Sequence, residues 1–297
     1  MKSKRNKKIL ITGSNGYIGS NLESYLKKYW WVYSTDLTES KKEDFLSADI
    51  SDFGAIENIL KEVYPDVVIH TAGVSSLAKC ESFPELAHKV NVVGTRNILK
   101  SIKAVNPSIK LVFLSSDYVF PGDTGNYSEK STPNPSTVYG KTKLKSERDI
   151  QKQLKNYIIL RSANVYGRGG NFFNFLVQNL RDSRPEKYFD DSFYTPTYIE
   201  YLLEAIKVLI EKDFSGLIHV AGREKVSRYS FALEVAKVLG EKSDLVMASK
   251  QLEGVLLSKD SSLNSNYSSK VLHIECPTIS ESLELLFNFN ASSKING

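Results

Sequence analysis

The chain has 297 residues, 41% hydrophobic and 25% charged, an ordinary balance for a globular protein with either two modest domains or one large α/β domain and an appendage. Its net charge of +5 resides in Lys2, Lys4, Arg5, Lys7 and Lys8, while the remainder holds 34 basic and 34 acidic side chains; a solvated tail, and no nucleic-acid partner, is the expectation. No eighteen apolar residues run together, so no membrane span or membrane partner is expected.

The first apolar run, ILI, stops at once in TGSNG, too short for the apolar stretch of a signal peptide. Cys80 and Cys276 stand apart from any CxxC or paired histidines. Reduced thiols in a cytoplasmic protein, and no metal site, follow as expectations.

In chain order, KILIT (8–12), WWVYST (30–35), DVVIHT (66–71), KLVFLS (110–115) and NYIILR (156–161) read as buried parallel strands. Helical periods separate them: Ile18, Leu22, Leu26 and Tyr29 on one face, then segments near 53–63, 83–105 and 137–155. Such alternation predicts a Rossmann-like, doubly wound parallel sheet. It fades after about residue 165. A helix at 198–211, a strand at 216–221 and a helix at 227–240 follow, with Ser-rich stretches near 258–269 and 291–294. The predicted division is a dinucleotide-binding domain over 1–166 with returns at about 194–222, and a smaller substrate domain from about 167–193 and 223–297.

Gly13, Gly16 and Gly19 follow the first strand and open the first helix. There they can turn the chain, let backbone approach a pyrophosphate and pack helix against strand, while the helix N-terminus offers its free N–H groups to the phosphates. Asp36 closes the second strand, 17 residues beyond Gly19, where an acid can accept from a ribose 2′-hydroxyl. Its carboxylate would repel a 2′-phosphate, so NAD(H) is favoured over NADP(H), with Lys41 and Lys42 as a partial offset. Asp49 could meet the adenine edge or equally cap a strand end.

Tyr139 and Lys143 lie four residues apart in PSTVYGKTKLKSE, and so on one helix face. Ser115–Ser116 end the fifth strand, 23 residues before Tyr139. A tyrosine of pKa about 10 must fall by about 3 units, ~4 kcal/mol, to work near neutrality. A lysine charge roughly 5 Å away supplies about 3 kcal/mol at an effective dielectric of 20. Lys143 is therefore expected to tune Tyr139 as a general acid.

The GxxGxxG spacing and this Ser–Tyr–Lys order resemble the extended short-chain dehydrogenase/reductase family. Within it, SSDYVFPG, PDVVIHTAG, NVVGTRNI, RSANVYGRGGNFFNFLV and GLIHVAGREKVSRYSFALEVAKVLG look like the dTDP-4-dehydrorhamnose reductase family, across most of residues 8–240. Tyr118 follows Asp117 where 4,6-dehydratases place a second acid, which speaks against dehydration. Departures are Ser116 in place of the family's usual threonine, the epimerase-like SANVYG with Asn164, and the wording around His70.

The resemblance implies reduction of the C4 ketone of a nucleotide-linked 4-keto-6-deoxyhexose, for deoxysugar and surface polysaccharide synthesis. Tyr139 would be the proton donor, Lys143 its partner and the holder of the ribose, and Ser116 the group that positions the reacting oxygen. Asn91 would support Lys143 through water, or be a plain polar helix residue. Cofactor contacts are implied for Gly13, Asn15, Gly16, Tyr17, Ile18, Gly19, Asp36, Asp49, Ile50, Thr71, Ala72, Gly73 and Asn91. Substrate contacts are implied for Ser75, Asp117, Asn164, Arg168, Asn171 and Phe172, with core packing an equal alternative for Phe172. Arg223 and Arg228 read as surface charges.

Two other functions share these motifs: a redox-neutral nucleotide-sugar epimerase with tightly held NAD, and a non-enzymatic regulatory subunit such as that of methionine adenosyltransferase. Intact Ser116, Tyr139 and Lys143 argue against the second. A homodimer is common among extended members.

Overall fold

The computed structural model describes residues 7–251 and 257–293, with backbone alone for 288–293. Most of the basic tail, with Lys2, Lys4 and Arg5, and the end of the last Ser-rich stretch lie outside the described residues. The chain forms β1 (Lys8–Thr12), α1 (Tyr17–Leu26), β2 (Trp31–Asp36), β3 (Phe45–Ser47), α2 (Phe53–Val63), β4 (Val67–His70), α3 (Leu77–Ser82) and α4 (Pro84–Ala87). A π-helical turn, His88–Val93, then leads into α5 (Gly94–Val105). Next come β5 (Lys110–Ser116), α6 (Val138–Gln153), β6 (Tyr157–Ser162), β7 (Val165–Tyr166), α7 (Asn171–Arg181), β8 (Glu186–Phe189), β9 (Phe193–Tyr194) and β10 (Thr197–Tyr198). The chain closes with α8 (Ile199–Glu211), β11 (Gly216–His219), β12 (Val226–Ser227), α9 (Arg228–Leu239), β13 (Val246–Ser249), α10 (Asn266–Leu272) and α11 (Ile279–Ser293).

Two compact units result. The first runs to Val119 and takes in Pro133–Arg161 and Lys207–Ile218. It is built on a seven-stranded sheet in the order β11-β6-β5-β4-β1-β2-β3. The pairs β1–β2, β1–β4, β2–β3 and β4–β5 are parallel, with Ile9 opposite both Val32 and Val67. One face of this sheet, with Leu10, Val68, Leu111 and Ile159, packs on Ile56 and Leu60 of α2 and Ile98 and Ile102 of α5. These strands have both faces covered, which is why they read as continuous apolar runs. Strand order reverses between β1 and β4, where open α/β sheets take ligands at the carboxyl ends of their strands. Thr12, Asp36, His70 and Ser116 are those ends.

The second unit comprises Phe120–Thr132, Ser162–Ile206 and the chain from His219 onward. It holds three two-stranded ladders: β10–β7 and β13–β8, both parallel, and β12–β9, antiparallel. An aromatic cluster fills it, with Phe231 of α9 5.0 Å from the Tyr166 ring and Phe173 of α7 6.0 Å from the same ring. The periodic reading of 198–211 and 227–240 matches α8 and α9 within one residue at each end. The region from 168 to 190, which shows no alternation in sequence, contains α7 and β8. Tyr29 lies beyond the end of α1, whose buried side is carried by Leu22 and Leu26.

Candidate active site

The glycine loop is shaped by contact. Gly13 adopts φ +75°, and a Cβ there would lie 2.5 Å from the Ala72 backbone nitrogen. A Cβ on Gly19 would lie 2.1 Å from the Gly13 carbonyl oxygen. These two glycines let α1 approach β1 and β4. Gly16 differs, because its Cβ would meet only the Gly13 carbonyl oxygen, at 3.2 Å. The side of the loop it presents is open to a close-approaching group. Gly16 also precedes α1 without any side-chain cap, so the N–H groups of Tyr17 and Ile18 begin a ten-residue helix whose first turn carries no acid. That is an anion-accepting helix end.

Asp36 turns back onto this loop, accepting from the Asn15 N–H at 3.0 Å and, more distantly, from the Thr38 N–H at 3.4 Å. Asn15 donates from its side chain to the Thr38 carbonyl (3.0 Å) and accepts from Lys42 Nζ (3.3 Å). Lys42 in turn pairs with Glu23 at 2.8 Å. Burial alone would raise the Glu23 carboxyl, but hydrogen bonds from Lys27 and Lys42 hold it below the usual range. The Asp49 carboxylate accepts from the Ser51 N–H at 2.8 Å, so it does cap a turn. Ile50 is buried in the core against Gly94. Thr71 hydrogen-bonds the Thr12 carbonyl through its hydroxyl, at 2.7 Å, and Gly73 lies against the Asn91 carboxamide.

Asn91 sits in the π-helical turn, a distortion often found at functional sites. Its oxygen accepts from the Val74 N–H (2.7 Å), and its nitrogen donates to the Val74 carbonyl (3.1 Å) and to Thr142 Oγ1 (3.0 Å). Both N–H donors are therefore spent on clamping the loop after β4 to α6, a task that the sequence did not suggest.

Two successive residues of β5 are gripped by two residues of α6 spaced one turn apart. Lys143 Nζ donates to the Leu114 carbonyl at 2.7 Å. Ser115 Oγ donates to Glu147 at 2.5 Å. Ser116, the last residue of β5, donates from Oγ to Asp117 Oδ1 at 2.8 Å and accepts the Tyr118 N–H at 3.2 Å. Gly140 allows α6 this close, since a Cβ there would lie 2.0 Å from the Tyr118 carbonyl oxygen. The Tyr118 ring stands edge-on to Tyr139 at 6.1 Å.

The electrostatics differ from the sequence expectation. Burial drives the Tyr139 phenol above its ordinary range, Asp117 pushes the same way, and the Ser116 hydrogen bond opposes them. Burial also brings the Lys143 ammonium down to about 8, against the opposing pull of Glu147. Its nitrogen lies 4.7 Å from the Phe113 ring centroid and 5.9 Å from that of Tyr139. His70 is fully enclosed beside it; burial takes this imidazole to about 3, and the Lys143 charge adds to the drop.

A dinucleotide fits this unit on two observations: the open side of Gly16 at an uncapped helix start, and an ammonium at Lys143 with one of its three protons given to Leu114. Among the described residues no cluster of metal-ligating side chains occurs, and no helix is long and apolar enough to cross a membrane.

The candidate residues divide between the units. Those for cofactor and chemistry, with Ser75 and Asp117, lie in the first, and Ser75 is exposed on the loop after β4. Asn164, Arg168, Asn171 and Phe172 lie in the second. Asn164 accepts the Thr197 N–H through its backbone oxygen, 3.0 Å away. Arg168 donates to the Leu286 carbonyl at 3.0 Å. Asn171 is exposed at the start of α7. Phe172, half-buried, borders a cavity of about 380 Å³ with Phe175, Tyr188, Phe189, Arg228 and Leu257.

Arg228 was the residue the sequence reading passed over. Its guanidinium lies 5.1 Å from the Phe172 ring centroid and 5.2 Å from that of Tyr194, and its Nε is buried without a hydrogen-bond partner. Arg223, by contrast, is an exposed partner of Glu281. A cation in the first turn of a helix opposes the helix dipole. That mismatch, three residues before the buried Phe231, was the available signal.

With fold and geometry in hand, comparison with known proteins is informative. The profile of the RmlD substrate binding domain matches residues 7–290, and the chain belongs to this family of extended, NAD(P)-binding dehydrogenase/reductase relatives. It is 29% identical over 257 residues to dTDP-4-dehydrorhamnose reductase of Salmonella typhimurium, covering 83% of each chain. It is 26% identical over 250 residues to the beta subunit of methionine adenosyltransferase 2 from Bos taurus, covering 78% of this chain and 72% of that one. Among solved structures, dTDP-4-dehydrorhamnose reductase of Bacillus anthracis in complex with NADP superposes with a TM-score of 0.87 at 27% identity, over 95% of this chain and 99% of that one.

Proposed function

We propose that the protein reduces the C4 ketone of a nucleotide-linked 4-keto-6-deoxyhexose with NAD(P)H. The observation that carries the reading is the arrangement of Ser116, Tyr139 and Lys143, with an aromatic ring at Tyr118 where a second carboxyl would serve elimination. The glycine loop and the Lys143 ammonium would hold the dinucleotide, which supplies a hydride when bound. Tyr139 keeps its proton through burial and gives it to the oxygen that gains charge at C4. Ser116 turns its hydroxyl from Asp117 to that oxygen and orients it.

The cavity bordered by Phe172 and Arg228 supports a nucleotide-linked substrate, being of ligand size, rich in aromatic rings and furnished with two cations, Lys187 and Arg228, against one carboxylate, Glu186. On this reading the first unit serves the cofactor and the second the sugar nucleotide. NADH is favoured over NADPH by Asp36, which faces the loop, while Glu23 occupies the Lys42 charge that could otherwise meet a 2′-phosphate. The relative bound to NADP argues the other way.

The test is oxidation of NADH and NADPH against dTDP-, GDP- and UDP-linked 4-keto-6-deoxy sugars. Cofactor consumed one-for-one with product supports the proposal. Sugar isomerised without net consumption supports an epimerase instead, and no turnover despite dinucleotide binding supports a subunit role. Given dTDP-glucose and NAD, the protein should form no 4-keto-6-deoxy product; accumulation of that ketone would overturn the argument from Tyr118.

A further inference from the structure

Glu147 is a fully enclosed carboxylate on the same face of α6 as Tyr139 and Lys143, two turns beyond the first and one beyond the second. It has three hydrogen bonds. Arg161 of β6 clasps it through Nε (2.9 Å) and a terminal nitrogen (2.6 Å), and Ser115 of β5 donates to it at 2.5 Å. Its neighbours in sequence explain none of this, and a buried charge persists only where partners of this kind satisfy it.

We infer that Glu147, braced by Arg161, is a positioning residue: it fixes α6, which carries Tyr139, against the end of β5, which carries Ser116, and supplies the negative charge that faces the buried Lys143 ammonium. The inference rests on the reading of Tyr139 and Lys143 as the working pair. The groups around Lys143 single Glu147 out. From α6 come Tyr139 and Glu147, from β4 the neutral His70, from α3 the Cys80 thiol, and from β5 the Phe113 ring and Leu114 carbonyl. Burial has raised the Cys80 thiol above its usual range, so it stays uncharged near neutrality. Of these groups only Glu147 is a carboxylate, and it acts to keep the Lys143 ammonium charged. Burial has already brought Lys143 to about 8, so losing that carboxylate charge would carry its titration into the working range.

The test replaces the charge and keeps the shape, in Glu147→Gln. The Nζ resonance of Lys143 in lysine-labelled protein, assigned by its loss in Lys143→Met, is titrated in wild type and variant without any ligand. Its midpoint should fall by on the order of one pH unit, a tenfold smaller ammonium fraction on the basic side. The alkaline loss of dinucleotide affinity, followed by fluorescence, should move by the same amount. Glu147→Asp, which retains the charge, should restore the midpoint. Should Glu147→Gln fail to fold because Arg161 is stranded, Glu147→Gln/Arg161→Met removes both charges and should still titrate below wild type. A midpoint unchanged in whichever variant folds, with only the melting temperature lowered, would show a purely structural pair and overturn the inference. Failure to bind any dinucleotide would count against the proposed function alone, because the lysine titration needs no ligand.

Discussion

Replacing Gly140 by alanine tests how closely the site depends on the approach of α6. The added methyl would start 2.0 Å from the Tyr118 carbonyl oxygen and 2.9 Å from Pro135 Cβ, whereas Cβ contacts under 3.0 Å are essentially never seen. The helix or the turn after β5 must therefore yield by about 1 Å. The obstacle is backbone, so no rotamer can relieve it. Both sides of the gap matter, since Tyr139 adjoins Gly140 and Tyr118 adjoins the Ser116–Asp117 pair. A shift of this size is expected to cost about 10² in turnover, with overpacking lowering stability by about 1–3 kcal/mol. Single-turnover oxidation of reduced cofactor with saturating 4-keto sugar measures the first, and urea unfolding the second. If Gly140→Ala is folded and turns over within twofold of wild type, the Tyr139–Ser116 approach is not what the chemistry needs.

Tyr139→Phe keeps the ring against Tyr118 and removes the proton, so turnover should fall by about 10²–10⁴ with cofactor affinity little changed; near-full activity in the folded variant would dismiss Tyr139 as the donor. Asp36→Ala should narrow the gap between NADH and NADPH affinity measured by fluorescence titration, and a tenfold NADPH preference in wild type, about 1.4 kcal/mol, would refute the reading of Asp36. His70, at about 3 in the fold against 6.5 when exposed, adds stability that is whole above the unfolded value and is lost as pH falls toward 3. About 4–5 kcal/mol is at stake across that window, and the fall in stability between pH 6.5 and 4 should be shallower in His70→Gln.

What could be read in the sequence followed how local each signal was. Strands buried on both faces gave continuous apolar runs, so β1, β4, β5 and β6 were found within one residue or so at their ends. The glycine loop and the Tyr–Lys spacing were equally plain, because turn and helix periods fix them within a few positions. Two of the three small ladders were invisible, since each strand of β7, β9, β10 and β12 has two residues and is held by partners distant in the chain. α7 hid behind Gly169 and Gly170, which read as loop but precede the helix. At the site, the clamp from Asn91 to Val74 and Thr142 depends on a π-helical turn that no composition signals. The sign of the Tyr139 perturbation was missed for a different reason. The charge of Lys143 could be placed by spacing, but the burial that outweighs it could not.

That sign bears on which direction of reaction the site suits. A phenol held above its usual range is a weaker acid that stays protonated near neutrality. The alkoxide formed at a reduced ketone belongs to an alcohol about as weakly acidic as water (~15.7), so the transfer from Tyr139 still runs downhill. Oxidation in reverse would need the phenolate, which burial and Asp117 both oppose. On the proposed function, a phenol that starts out protonated suits reduction better than a redox-neutral cycle, in which the same tyrosine would first have to remove a proton.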